Sequence, residues 1–325
     1  MKKIKKFIKS IIDRLMYFFK KDDPFFYGNS NLKDIFFSKL FYCPHPFTNW
    51  SLNPLTRYNN DFMHTKEGFR KTSESNSIIE DLKHFNNSCD IYCLGGSTTY
   101  CDGVKDFSDS WPSRLRVLIN KDKEGFLVNG GVGGWSTIQS LIRFFTWGAI
   151  LKPKLTIFYQ AKNDLTPLVN GREIEKKIFP LMENIMLQYD TSLNSSPKKY
   201  KRNNHGVASV YGKDIYVSEK GFSRLTPEWK ELYAVRCKMA TDLAKTWNGK
   251  IVFIPEIFKK NEIYYDQLCE MHDVMKEVAS KEENSFFLDL RNEIEINEVN
   301  FMDNCHFTKL GCEKFSNLLY TKLFK

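Results

Sequence analysis

Residues 90–99 read DIYCLGGSTT, a short apolar run followed by two glycines and three hydroxyl side chains. A run this short and apolar is typical of a buried strand, and two glycines permit a tight turn at its end. The turn would present Ser97 at the edge of a sheet, with a helix to follow. An ordinary strand-to-helix turn with a capping serine would look the same. No Gly-Lys-Ser/Thr follows, which argues against a phosphate-binding P-loop, and Thr99 stands where an α/β-hydrolase elbow needs glycine.

The alternation of short apolar runs and helical patterns continues to the end of the chain. We predict strands at 90–94, 126–128, 155–159, 251–254 and 286–290, and helices at 111–120, 137–148, 227–247, 262–281 and 308–324. Apolar strands separated by helices of this length imply a parallel sheet covered on both faces. The sequence therefore predicts a three-layer α/β/α domain with a five-stranded parallel sheet over residues 88–325. An insertion at 169–224 follows the third strand and could form a lid.

The net charge of +9 is concentrated in two short segments. Residues 1–21 hold Lys2, Lys3, Lys5, Lys6, Lys9, Arg14, Lys20 and Lys21 against only Asp13, and residues 190–205 hold Lys198, Lys199, Lys201 and Arg202 against only Asp190. The rest of the chain is close to neutral, so no broad nucleic-acid-binding face is expected. The eight cysteines include no CxxC pair, which indicates reduced thiols and a cytoplasmic protein.

Ahead of the predicted domain lie two different segments. In residues 1–22, apolar side chains recur every three or four positions with lysines between them, which predicts a basic amphipathic helix. Such a helix either lies on an anionic membrane surface, here the inner face of the membrane, or docks on its own domain or a partner. Residues 23–87 are rich in aromatics, Asn and Pro and lack sustained periodicity, so we expect an irregular extension that wraps the core.

The second and third predicted strands also end in polar or glycine-rich turns. Residues 129–134 read NGGVGG, and these glycines let backbone N–H groups approach a ligand closely. Residues 160–164 read QAKND, where the amide of Asn163 could donate to a developing oxyanion. A flexible glycine turn and an Asx turn are the ordinary explanations of the same residues.

A fourth motif, DNCH at residues 303–306, stands just before the last predicted helix. Its spacing lets Asp303 reach one imidazole nitrogen of His306 while the other faces a nucleophile, although a surface turn with a solvated histidine would read alike. Cys305 has no base spaced to serve it and is better interpreted as a small packing residue. Zinc-ligand spacing is lacking among the cysteines and histidines, so we predict no metal and no cofactor.

The four motifs, in this order, resemble the blocks of the SGNH (GDSL-type) hydrolase family, which contribute Ser, Gly, Asn and His. The resemblance covers about residues 88–168 and 250–325 and implies a flavodoxin-like fold. It implies a catalytic triad of Ser97, His306 and Asp303, and an oxyanion hole of Ser97, Gly134 and Asn163.

Two positions depart from the family pattern, and a third motif extends the resemblance. Gly96 stands for the Asp of GDSL and Ala161 for the first Gly of GxND; neither change removes a catalytic atom. Residues 68–70 (GFR) look like those of bacterial members that carry an N-terminal extension.

The activity that the resemblance implies is serine-dependent hydrolysis of O-acyl esters, with O-acetyl groups on glycans ahead of lipids. The partners expected are a small-molecule or glycan acyl ester and, through residues 1–21, an anionic membrane surface, with no nucleic acid. Two alternatives remain. One is a lipid acyl hydrolase or acyltransferase at a membrane surface, and the other is a catalytically silent binding module that uses the same pocket.

Overall fold

The structure, a computed structural model, describes residues 41–169, 208–210, 213–215, 229–260 and 265–325, except residues 46, 55, 59, 60 and 123. In chain order the elements are β1 (Tyr42–His45), β2 (Asn49–Leu52), β3 (Arg57–Tyr58), β4 (Asp61–Phe62), α1 (Ile78–His84), β5 (Ile91–Gly95), α2 (Ser97–Tyr100), α3 (Trp111–Ile119), β6 (Leu127–Asn129), α4 (Thr137–Leu151), β7 (Leu155–Tyr159), α5 (Lys162–Val169), β8 (Ala208–Val210), β9 (Lys213–Ile215), α6 (Trp229–Thr246), β10 (Lys250–Phe253), α7 (Tyr265–Lys281), β11 (Ser285–Phe287) and α8 (Lys309–Phe324). These residues belong to one compact unit, 37–325.

Five of these strands form the central sheet, in the order β11-β10-β7-β5-β6, and every neighbouring pair is parallel. Numbered along the chain this is the order 2-1-3-4-5, the flavodoxin-like arrangement. The predicted α/β fold is confirmed. The predicted strand and helix ends differ from the observed ones by no more than about three residues, the usual uncertainty of such boundaries.

Side chains on the two faces of the sheet pack into separate cores. Along β5, Tyr92 and Leu94 join one core and Ile91 and Cys93 the other, as the two-residue period of a strand requires. The first core is covered by α4, α6 and α7, through side chains such as Phe144, Tyr233 and Met271. The second is covered by α3 and α8, through Trp111, Leu115, Phe315 and Leu319. Because both faces are buried, the strands read as continuous apolar runs.

The extension before the domain is more regular than expected. Residues 42–62 form two antiparallel hairpins, β1–β2 and β3–β4, and α1 follows with Ser77 as its N-cap. The hairpin strands are too short to show a two-residue period, and contacts with the domain help to hold them in place. The indole of Trp50 donates to the carbonyl of Gly133 at 3.1 Å, and that of Trp135 donates to the carbonyl of Trp50 at 3.1 Å.

The remaining predictions about organisation fall largely outside the described residues. The N-terminal segment 1–22 lies outside them entirely, as does most of the insertion at 169–224, of which β8 and β9 form a hairpin. Among the helices that the structure describes, none is long and apolar enough to cross a membrane.

Candidate active site

Ser97 is the first residue of α2, directly after the turn that ends β5. Two glycines form this turn because the space beside it is already filled. A Cβ on Gly95 would lie 2.4 Å from the carbonyl oxygen of Tyr159, and one on Gly96 would lie 2.7 Å from Nδ2 of Asn163. Any larger side chain would push the turn away from the neighbouring strand. The hydroxyl of Ser97 is therefore held at the carboxyl edge of the sheet, beside the loop that follows β7.

The structure brings Ser97, His306 and Asp303 into one hydrogen-bonded chain. His306 Nε2 lies 2.8 Å from Ser97 Oγ, and His306 Nδ1 lies 2.6 Å from Asp303 Oδ2. The other carboxylate oxygen of Asp303 accepts from the backbone N–H groups of Cys305 and His306, both at 2.8 Å. These two bonds fix the carboxylate on its own turn, so that it meets the imidazole in one orientation.

The charges of this chain support each other. Burial opposes the negative charge of Asp303, but its hydrogen bond to His306 and its backbone bonds outweigh burial and hold the pKa of Asp303 below its usual range. Burial likewise opposes a positive His306, yet the hydrogen bond to Asp303, assisted by Cys305 and by the charge of Asp102, raises the pKa of His306 above its ordinary value. The site therefore favours an imidazolium paired with a carboxylate.

Gly134 lies in the loop after β6 and Asn163 in the first turn of α5, and the two segments meet beside the turn that precedes Ser97. Gly134 has a φ of +77°, in the left-handed region that favours glycine. The side-chain amide of Asn163 donates to the carbonyl of Trp135 at 2.9 Å, which ties the start of α5 to the loop that carries Gly134. This loop is also bound to the nucleophile turn, since the backbone N–H of Val132 donates to the carbonyl of Gly95 at 3.2 Å.

Ser97, His306 and Asp303 are therefore in contact at the carboxyl edge of a sheet with the strand order 2-1-3-4-5. The fold is an α/β fold with a flavodoxin-like, five-stranded parallel sheet. Ser97 follows β5 and Asn163 follows β7, the adjacent strands on either side of the point where the strand order reverses. Ligands of open α/β sheets bind at that point.

Comparison with solved structures finds similar chains at low sequence identity and with TM-scores below 0.5. No family model matches the sequence, and no curated protein matches it. An alpha/beta hydrolase enzyme from the metagenome of Lake Arreo in Spain is 13% identical, with a TM-score of 0.46 over 72% of this chain and 94% of that one. A Clostridium thermocellum family 3 carbohydrate esterase is 14% identical, with a TM-score of 0.41 over 72% and 94%. An acetyl xylan esterase is 11% identical, with a TM-score of 0.44 over 72% and 100%.

Cys305 touches the site without the properties of a nucleophile. Its Sγ lies 3.6 Å from His306 Nδ1 and 3.9 Å from Lys162 Nζ. Burial raises the pKa of this thiol despite both neighbours, so the reactive thiolate is disfavoured. Asp303, Cys305 and His306 offer ligand atoms within 4.8 Å of one another. The carboxylate and imidazole are nonetheless at hydrogen-bond distance, closer than the roughly 3.3 Å between two ligands of a tetrahedral zinc ion.

Asp164 anchors the first turn of α5, which also carries Asn163. Its carboxylate, fully buried, accepts from the backbone and the hydroxyl of Thr137 at 2.9 and 2.8 Å and pairs with Arg236 Nη1 at 2.6 Å. The structure identifies the partners as the first turn of α4 and the side of α6.

Two residues near the site were missed in the sequence, and a third was noted only as part of the GFR motif. Asp102 lies in the turn after α2, where its backbone N–H donates to the carbonyl of Ser97 at 3.1 Å. Burial raises the pKa of its carboxyl to about 6.

Arg70, only 1% exposed, donates to the hydroxyl of Tyr100 at 2.5 Å and to the carbonyl of Val104 at 2.9 Å, and so secures both ends of this turn. The second missed residue is Glu256, which follows β10. An acid five residues after Ser97 was the only available signal for Asp102.

Proposed function

We propose that this chain is a serine esterase of the SGNH type. The observation that carries the proposal is the continuous chain from Ser97 Oγ to His306 Nε2 at 2.8 Å and from His306 Nδ1 to Asp303 Oδ2 at 2.6 Å. A serine hydroxyl is a weak nucleophile until an adjacent base removes its proton. This geometry supplies the base and a carboxylate that orients it.

The reaction proceeds in two halves. His306 accepts the proton of Ser97 as Oγ attacks the ester carbonyl, and the tetrahedral intermediate collapses when His306 returns that proton to the departing alcohol. A water molecule then gives a proton to His306 and attacks the acyl-serine, and the second collapse frees the acid and restores Ser97. Throughout, Asp303 keeps the imidazole in one tautomer and stabilises the imidazolium.

The oxyanion of each intermediate is bound by the backbone N–H groups of Ser97 and Gly134 and by the amide of Asn163. Such donors act mainly on the charge that develops in the transition state, and each contributes about 2.7–4 kcal/mol. The bond from Asn163 to the carbonyl of Trp135 supports this role because it fixes the amide relative to the Gly134 loop.

The substrate we propose is an O-acetyl ester on a sugar. A cleft of about 370 Å³ is lined by residues that neighbour the site in the chain: Gly103, Val104, Lys105, Asp106, Asp109, Met302, Thr308 and Lys309. Met302 and Thr308 flank the DNCH motif in the chain, and Gly103 follows Asp102. Charged and hydroxyl side chains suit the hydroxyl groups of a glycan better than an alkyl chain, so this lining favours a polar alcohol over a lipid.

Covalent labelling tests the nucleophile. A fluorophosphonate probe should label the wild-type chain and fail to label Ser97→Ala, while Ser108→Ala, which changes an exposed serine bound to Asp106, should label as the wild type does. Hydrolysis of p-nitrophenyl acetate should fall at least about 1,000-fold in Ser97→Ala. A wild-type chain that binds acetylated sugars without labelling or turnover would instead be a binding module.

An ester panel tests the substrate class. We expect turnover of p-nitrophenyl esters to decrease from acetate to octanoate and dodecanoate, and acetate to be released from acetylated xylo-oligosaccharides. Preference for the long acyl chains would indicate a lipid acyl hydrolase. Transfer of the acetyl group to an added sugar at the expense of free acetate would indicate an acyltransferase.

A further inference from the structure

Glu256 is a buried carboxylate at the carboxyl edge of the sheet, three residues after the end of β10. It is 4% exposed. None of the four sequence blocks includes it, and the mechanism proposed above does not use it. A carboxylate is costly to bury unless hydrogen-bond donors surround it, so its neighbours are informative.

Its hydrogen bonds reach two segments that are far apart in sequence. Oε1 accepts from the hydroxyl of Thr98, the residue after Ser97, at 2.5 Å. Oε2 accepts from the backbone N–H groups of Ala161 and Lys162 at 2.6 and 2.7 Å. Burial raises the pKa of Glu256, and these three bonds oppose the rise because they stabilise the charged form.

The two segments are those that carry the proposed nucleophile and the proposed oxyanion donor. Thr98 lies in the first turn of α2, one residue from Ser97. Ala161 directly precedes α5, Lys162 is its first residue, and Asn163 follows. One carboxylate oxygen therefore binds the turn that carries the proposed nucleophile. The other binds the start of α5, which carries the proposed oxyanion donor. An apolar side chain of the same size could fill the space but could bind neither segment.

We propose that Glu256 is a positioning residue that sets the distance between Ser97 Oγ and the Asn163 amide. The inference rests on the proposed function, since it assigns Glu256 a role in that same reaction. Its effect belongs to the transition state, because the oxyanion forms only after Ser97 attacks and small displacements of its donors are then felt. Losing Glu256 should thus lower kcat and leave KM nearly unchanged.

Replacement by methionine and by glutamine separates positioning from packing. Glu256→Met keeps the volume and removes every acceptor, and we expect kcat for p-nitrophenyl acetate to fall about 30- to 1,000-fold with KM within about threefold. The rate constant for fluorophosphonate labelling of Ser97 should fall in parallel. Glu256→Gln keeps an oxygen for the two backbone donors and an amide that can donate to Thr98, so it should restore kcat to within about tenfold of the wild type.

Glu67 offers a matched control away from the site. It accepts from the hydroxyl of Ser77 at 2.7 Å and from the backbone N–H groups of Ile78 and Ile79 at 2.9 and 3.5 Å, at the start of α1. Glu67→Met should lower the unfolding temperature and leave kcat of the folded protein unchanged. Thr98→Val removes only the bond to the nucleophile turn, and we expect a smaller loss of kcat, about 5- to 30-fold.

The outcomes separate this inference from the function on which it rests. A folded Glu256→Met variant with kcat and labelling rate within threefold of the wild type would overturn the positioning role alone. If that variant fails to fold, Thr98→Val decides: an unchanged kcat overturns the role, and the expected loss upholds it. A wild-type chain that neither labels nor hydrolyses would overturn the proposed esterase and this inference with it.

Discussion

His306 is influenced by two acidic side chains, Asp303 through a hydrogen bond and Asp102 through its charge, and both raise its pKa. A general base must be neutral to accept the proton of Ser97. We therefore expect kcat/KM to rise with pH through an apparent pKa above 6.5, the ordinary value for histidine. Profiles of p-nitrophenyl acetate hydrolysis between pH 5 and 10 would measure it.

Variants of the two acids make this expectation specific. Asp303→Asn should move the rise in kcat/KM to lower pH and also reduce its plateau, since the imidazole loses the acceptor that fixes its tautomer. Asp102→Asn should move it in the same direction by a smaller amount, because this residue acts through charge alone. A wild-type profile that rises at or below pH 6.5 would contradict the assigned electrostatics.

We expect the Asp102 carboxylate to lower the free energy of unfolding at neutral pH. Burial raises the pKa of its carboxyl from 3.8 to about 6 in the folded protein, so the folded state holds this proton more tightly than the unfolded state. The resulting penalty is absent below about pH 3.8, grows as the pH rises from 3.8 to about 6, and stays at its full value above that. We expect Asp102→Asn to raise the free energy of unfolding at pH 7.5 by about 1–3 kcal/mol and to leave it unchanged near pH 4.

Urea titrations at the two pH values would measure the effect of Asp102. The control is Asp106→Asn, since the hydrogen bonds of Asp106 to Ser108 hold its pKa below the usual value in spite of burial. That variant should be slightly less stable than the wild type at pH 7.5, the opposite sign.

Asn163 should matter to the rate and not to substrate affinity. Asn163→Ala removes the amide proposed to bind the oxyanion, and we expect kcat to fall about 100- to 1,000-fold with little change in KM. Asn163→Asp keeps the size and replaces the donor by an acceptor, so it should be at least as slow. Steady-state kinetics would distinguish these results from a pure rise in KM, which would place Asn163 in ground-state binding.

At the scale of elements, the start of α5 is held by the buried pair of Asp164 and Arg236, which joins it to α6. Removing the Arg236 cation leaves the fully buried carboxylate of Asp164 without its ionic partner. Breaking a buried ion pair in this way costs about 3–5 kcal/mol. We expect Arg236→Met to lower the free energy of unfolding by that amount. Lys238→Met changes an exposed lysine on the same helix, whose partners are the exposed Asp242 and the half-buried Glu282. It should cost less than about 1 kcal/mol, and equal losses in the two variants would exclude this role for Asp164.

The sequence predicted an element accurately where neighbouring residues carried the signal, and missed it where distant residues hold it in place. The strand from Leu155 to Tyr159 was predicted to the residue because five consecutive apolar or β-branched side chains between helices have one simple interpretation. The β1–β2 hairpin was missed because its strands are only four residues long and Trp50 is held by partners more than 80 residues away.

The residues of the candidate site also divide into those with a local sequence signal and those without one. Ser97, Asn163 and the DNCH turn could be found because each stands at a strand end or just before a helix. Glu256 could not, because Thr98 lies 158 residues from it in the chain. No local pattern shows that an acid after the fourth strand will meet the turn after the first.

At the scale of the whole molecule, the topology assembles the site. The flavodoxin-like order places β5 and β7 side by side, although β6 and α4 separate them in the chain. The turns that follow these two strands, with Ser97 and Asn163, therefore become neighbours. The extension contributes as well, because Arg70 forms a β-bridge with Asn129 and binds the turn after α2. A chain lacking the extension would lose contacts that this turn requires.

The basic segment at residues 1–21 leads to a prediction that rests on sequence alone. Its net charge of +7, from the eight Lys and Arg residues against Asp13, lies apart from all four blocks. We propose that it attaches the protein to an anionic membrane surface. Deleting residues 1–21 should abolish co-sedimentation with phosphatidylserine-containing vesicles and leave hydrolysis of p-nitrophenyl acetate unchanged.

Salt and charge distinguish this attachment from simple hydrophobic adhesion. Each basic residue near an anionic leaflet contributes about 1 kcal/mol, and salt screens that attraction, so vesicle binding by the full chain should weaken steeply as salt is raised. A variant with Lys2, Lys3, Lys5 and Lys6 changed to Gln keeps the apolar stripe and should bind far less. If the intact protein does not bind the vesicles and the deletion of residues 1–21 lowers the unfolding temperature by many degrees, the segment packs against protein instead. The triad geometry would be unaffected by that result, because Ser97, His306 and Asp303 contact one another without the segment.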